Sequence, residues 1–266
     1  MRKVPSSIVV AALMAVLLTS GLLMGCSCPV GVVEGSGNLS TQEVDFSGFT
    51  RVDVGYAFEV EILQSDSYSV NITADDNLFD DHIRVSQAGE TLKIGLRPGY
   101  NYQSVTLRAE ITMPDLYGLE LSGATHGTAQ GFNSSHHFIL KLSGASSLDM
   151  VDMSVGDIDF DISGASSVTG NITAGDSDFQ VSGASHVQLQ GSASDIAIDA
   201  SGASHVELAA FPVNNADVEL SGASHGTVNL DGILNADLSG GSHLTYLGTP
   251  TMGDIDISGG SSIGPE

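Results

Sequence analysis

Beyond a first apolar run, hydrophobic residues in this chain keep a period of two. Val52, Val54, Phe58, Val60 and Ile62 fall on one face of an extended backbone. So do Tyr68, Val70 and Ile72, Ile83 with Val85, Leu92, Ile94 and Leu96, and Val105, Leu107, Ala109, Ile111 and Met113. Alternation of this kind predicts strands with one buried side. Gln87-Ala88-Gly89-Glu90 and Pro98-Gly99 read as turns between them, and residues 75–81 have room for a single helical turn. No later stretch carries a helical period, so the expected fold class is all-β.

From residue 122 the alternation becomes a repeat. Ser-Gly-Ala/Gly-Ser/Thr, followed by His or Ser, begins at Ser122, Ser143, Ser163, Ser182, Ser201, Ser221, Ser239 and Ser258, at intervals of 18 to 21 residues. That period is too short for a pair of helices and too long for a hexapeptide coil. It fits one rung of a parallel β-solenoid, which buries its apolar side only by stacking on its neighbours. Apolar residues stand one and three places before the first Ser, as in Phe160 and Ile162 or Ile198 and Ala200. They return five and seven places after it, as in Val187 and Leu189 or Val206 and Leu208. Each rung therefore reads as strand, corner, strand and a more variable turn. Gly gives the corner a backbone conformation closed to other residues, Ala is expected to leave room for the next rung, and the hydroxyls can serve one another and the corner backbone. At ~4.8 Å per rung, eight copies span roughly 34 Å.

The leader gives the chain its compartment. Arg2 and Lys3 precede an apolar run over residues 8–24, which closes on Leu23-Met24-Gly25-Cys26. This resembles a lipoprotein signal, with cleavage before Cys26 and lipid on its thiol. A retained membrane anchor is the other reading, because ~17 apolar residues lie at the lower edge of spanning length. Either places the remainder outside the cytoplasm, membrane-anchored at the cell envelope. The expected division is a signal over 1–25, a tether over 26–38 and one domain over 39–266, with strands over 39–117 that cap or extend the repeats of 118–266. Cys26 and Cys28 are the only cysteines, so no disulfide framework holds the domain.

Residue order then narrows the kind of protein. Phe46-Ser47-Gly48-Phe49 leads into the strand from Val52 to Ile62. Thr73-Ala74-Asp75-Asp76-Asn77-Leu78, Gly89-Glu90-Thr91-Leu92-Lys93-Ile94 and Ile111-Thr112-Met113-Pro114-Asp115-Leu116 follow, and the last runs into Leu119-Glu120-Leu121-Ser122-Gly123-Ala124. Over residues 38–245 this order resembles the putative auto-transporter adhesin family with the head GIN domain, a family of bacterial envelope lipoproteins. The resemblance implies a right-handed parallel β-helix exposed at the envelope and an adhesive role. It brings no catalytic residues.

Charge excludes one class of partner and raises another. The chain has 32 acidic residues against 8 basic ones, and after Lys141 there are 17 acidic residues with no Lys or Arg. Such a surface repels nucleic acid. Two places before the corner Ser the residue is mostly acidic, and stacking brings Glu219, Asp237 and Asp256 together. A second column four places before it holds Asp159, Asp178, Asp217 and Asp254. Like charges ~4.8 Å apart repel by only about 1 kcal/mol in water, so a solvated acidic face needs no ion, although calcium would relieve it. His186, His205, His225 and His243 form another column, with His126 alone on the first rung. Their imidazoles could hold zinc or copper. The same slot is serine at Ser147, Ser167 and Ser262, the mark of a plain outward polar position.

An enzyme acting on polysaccharide is the remaining alternative. Lyase chemistry wants a Lys or Arg, of which the repeats have almost none, and a hydrolase could pair Asp159 with Asp161. Nothing sets that pair apart from its repeats, and the absence of Trp leaves little for sugar stacking. The Ser-His corners have no triad spacing. The expectation is a non-catalytic, lipid-anchored surface module with no required cofactor, whose ligand is a glycan or a protein. The last copy ends at once in Gly264-Pro265-Glu266. An uncovered last rung would leave open strand edges, through which a homo-oligomer could form end to end.

Overall fold

The computed structural model of the chain describes residues 31–266; the leader and the Cys26 and Cys28 thiols lie outside the described residues. Each repeat folds into two strands joined by the corner. The first strand adds to an 11-stranded sheet and the second to a 12-stranded sheet. Pairing is parallel and mostly in register through the repeats. Leu119, Leu140, Phe160, Phe179, Ile198, Val218, Ala236 and Ile255 are partners in succession. This file and its equivalents turn inward, so the core is a continuous layer between the sheets. Phe160 and Phe179 stack within it at 4.5 Å between centroids and 6° between planes. The expected β-solenoid is what forms.

The corners superpose. Gly123, Gly144, Gly164, Gly183, Gly202, Gly222, Gly240 and Gly259 all have φ between +69 and +81°. At Gly183 a Cβ would also lie 2.4 Å from the carbonyl oxygen of Gly164 in the rung before it. Glycine is thus required twice, for its left-handed backbone and for the closeness of the neighbouring chain. The small residue that packs inside is the fourth of the motif rather than the third. Ala184 is exposed, whereas Ser185 is buried and donates to the Ser182 carbonyl at 2.8 Å. Ser166, Ser204 and Ser224 repeat that bond at 2.8–2.9 Å. Burying a hydroxyl is costly without a partner, and the corner carbonyl supplies one.

Before the repeats the stacking order departs from chain order. Arg51–Val54 and Glu59–Gln64 form a rung that pairs in parallel with the first repeat, at Gly118–Leu121 and His126–Gln130. On its other side lie Thr91–Leu96 and Leu107–Met113, also parallel, although they come later in the chain. Antiparallel strands then close this end: Ile83–Ala88 on one sheet, Ser69–Asp75 and Leu39–Glu43 on the other. The region thereby both extends and caps the solenoid. Its one helical element is a 3₁₀ turn over Asp76–Leu78.

The segment expected to be tether is folded from residue 31. Gly31–Glu34 pairs with Tyr100–Gln103. Asp75, 1% exposed, accepts from Gly37 N and Thr106 N, each at 2.7 Å, and pins the strand's exit to the body. At the other end Thr251–Ile257 and Ser262–Pro265 are the outermost strands of the two sheets, and Met252, Ile255 and Ile257 are exposed there.

Candidate functional site

Inward files make the core, so the chemistry available to a ligand lies in the outward ones. On the 11-stranded sheet the residues two places before each corner align as Glu120, Lys141, Asp161, Gln180, Asp199, Glu219, Asp237 and Asp256. Asp53 and then Lys93 continue this file downward. Lys93 Nζ meets Asp53 Oδ2 at 2.7 Å. That hydrogen bond, with the Asp53 charge behind it, raises the Lys93 ammonium above its ordinary 10.5. The face therefore grades from mixed charges near the cap to carboxylates interrupted only by Gln180 after Lys141.

The second acidic column is interrupted by Ala197 and Asn235. Its slots run Asp159, Asp178, Ala197, Asp217 and Asn235. The strand register then shifts between Leu234 and Ala236, and the Asp254 amide donates to Asn235 Oδ1 at 3.0 Å. Asp217, Asp237, Asp254 and Asp256 line one shallow open groove with Asn235, and Glu219 stands beside Asp237 in register. Asp159 and Asp161 point outward from one strand, and His137 Nε2 lies 2.9 Å from Asp159 Oδ2.

On the 12-stranded sheet His126, Ser147, Ser167, His186, His205, His225, His243 and Ser262 form one outward file. Centroid separations are 6.3 Å for His186–His205, 4.9 Å for His205–His225 and 6.3 Å for His225–His243; the middle pair is parallel to within 3°. The end rings rest on serines, His126 Nδ1 at 2.6 Å from Ser147 Oγ and His243 Nδ1 at 2.7 Å from Ser262 Oγ. Among the described residues, no three His, Cys, Asp or Glu side chains converge closely enough to enclose a metal ion.

Three features have no counterpart in the motif reading. Asp157, Asp176, Asp195 and Asn215 use a side-chain oxygen to accept the backbone N–H one rung on, at 2.9–3.3 Å, and so staple the far turn. Their spacing of 19 to 20 residues was the available signal. The Asp75 clamp lies inside the quoted Thr73–Leu78 segment, yet its burial depends on Gly37 and Thr106, far away in sequence. His82, Tyr100 and Tyr102 cluster beside the cap, with the Arg97 guanidinium 5.6 Å from the Tyr100 centroid.

Comparison with known proteins agrees with this architecture. A family model described as "Putative auto-transporter adhesin, head GIN domain" matches residues 48–250. A putative adhesin from Parabacteroides merdae superposes with a TM-score of 0.83 at 16% identity, covering 88% of this chain and 99% of that one. A putative adhesin from Parabacteroides distasonis gives 0.79 at 18%, over 87% and 99%. A putative lipid binding protein from the same organism gives 0.73 at 16%, over 88% and 99%. At such identities these structures establish the fold they share. No curated protein matches the chain.

Proposed function

The chain belongs to the putative auto-transporter adhesin, head GIN domain family, and on that premise we propose that it is a non-catalytic binding module held at the cell envelope by lipid on Cys26. The observation that carries this reading is repetition. Along the repeats, outward side chains have counterparts ~4.8 Å above and below on the neighbouring rungs. Catalysis needs one singular group, whereas adhesion gains from many equivalent contacts whose effects multiply when they are linked. A ladder of similar sites suits an extended, itself repetitive ligand such as a glycan chain or an envelope protein.

The leader and Cys26 support export and anchoring. Strand Gly31–Glu34 lies against the capped end, so a lipid on Cys26 would set that end toward the membrane and the repeats away from it. Purified protein on glycan and protein arrays should give saturable binding without turnover, and Cys26→Ser should move the protein from the membrane fraction to the soluble one. Polysaccharide cleavage that disappears on changing Asp159 and Asp161 to Asn would overturn the reading in favour of an enzyme.

A further inference from the structure

We propose that the imidazole file on the 12-stranded sheet binds borderline divalent cations, copper(II) and zinc above all, through pairs of histidines on adjacent rungs, with water completing the shell. The proposal stands apart from the adhesion reading and does not depend on it. His205 and His225 carry it: they are exposed, stacked at 4.9 Å and parallel to within 3°. Zinc–imidazole bonds of about 2.0–2.1 Å at tetrahedral angles put two ligand nitrogens about 3.3 Å apart. An ion lies in the plane of each imidazole that ligates it, so both exposed side chains must turn about χ1 and χ2 out of the stacked pose to converge on it, while both backbones stay in register.

His186 and His243 flank this pair and extend the site by one ring on each side. In the Nδ1–H tautomer of His243, Ser262 accepts the outer hydrogen bond that metal-ligating imidazoles use. An Nδ1–H donated to its Oγ at 2.7 Å leaves the Nε2 lone pair directed outward. Over the same four rungs the neighbouring outward file holds Gln188, Glu207, Thr227 and Thr245. Glu207 is its one carboxylate, and no cation competes there. Nitrogen ligands select copper, nickel and zinc, whereas calcium prefers oxygen and would go to the carboxylates of the other sheet.

Serine already fills this slot at Ser147, Ser167 and Ser262, so His205→Ser with His225→Ser is a substitution the rung accommodates. Copper(II) titration of the purified protein should show saturable heat and nitrogen splitting in the paramagnetic resonance spectrum. Both should be lost in the double variant and kept when Asp237 and Asp256 become Asn. Because only neutral imidazole ligates, acidification should release the ion. Absence of saturable binding, or binding that follows the aspartates and ignores the histidines, would overturn the proposal.

Discussion

Single residues matter most at the corners. Gly183 combines φ of +80° with a carbonyl 2.4 Å from where a Cβ would sit. Gly183→Ala should cost about 2–4 kcal/mol, the range for backbone strain joined to a clash, while the exposed Ala184→Ser should stay within about 0.5 kcal/mol. Urea unfolding of the two variants checks the contrast, and equal losses would contradict the stacked corner. Lys93 offers a test by pH. Its folded-state titration is raised, so the Asp53 contact favours the folded form fully below 10.5 and fades as pH rises through the folded value. Following Lys93 by NMR, Asp53→Asn should bring its midpoint back toward 10.5. The corner glycines were legible because repetition isolates them. The inversion of roles between the third and fourth motif positions was not, since Ala and Ser are both small and only the direction of the Cβ decides which one is buried.

At the level of the strand, files explain more than single contacts do. Phe138, Ile158, Ser177, Ile196, Ala216 and Leu234 form one inward file. Ser177 is 3% exposed, and its hydroxyl has no hydrogen-bond partner. Ser177→Ala removes an unsatisfied buried group and should stabilise the protein by about 1 kcal/mol in calorimetry; a loss of stability would reveal a partner for the hydroxyl. Period-two alternation located these strands, and the repeat spacing located their neighbours. The base rung escaped the same logic. Its corner, Gly55-Tyr56-Ala57-Phe58, lacks the motif and holds Tyr56 and Ala57 at φ of 67 and 62°. Its lower neighbour comes from residues 91–113, which nothing in the local pattern assigns to that level. The acidic columns were legible as composition, but the bulge that takes Asp254 out of register with Asn235, its neighbour on the preceding rung, depends on a shift that periodicity does not encode.

The whole molecule is a stack of nearly equivalent layers on an asymmetric base. If each repeat contacts only its neighbours, removing one complete unit should leave the others able to rejoin. Deleting residues 182–200 brings Val181 directly to Ser201 and preserves every inward and outward assignment. The shortened protein should retain its circular dichroism strand signal and unfold cooperatively. Removing residues 182–190 instead would set later side chains out of phase with the core, and that variant should fail to fold. Equal behaviour of the two deletions would rule out the layered account.

The out-of-order base also gives assembly a direction in time. Everything needed to complete the foundation lies before residue 117, so a chain synthesised from its amino end can finish its template before any repeat emerges. Each later repeat then meets a ready-made edge and has only a short loop to close. Truncations from the carboxyl side should accordingly yield a graded series of shorter, soluble rods, whereas loss of residues 83–113 should leave the repeats with nothing on which to begin.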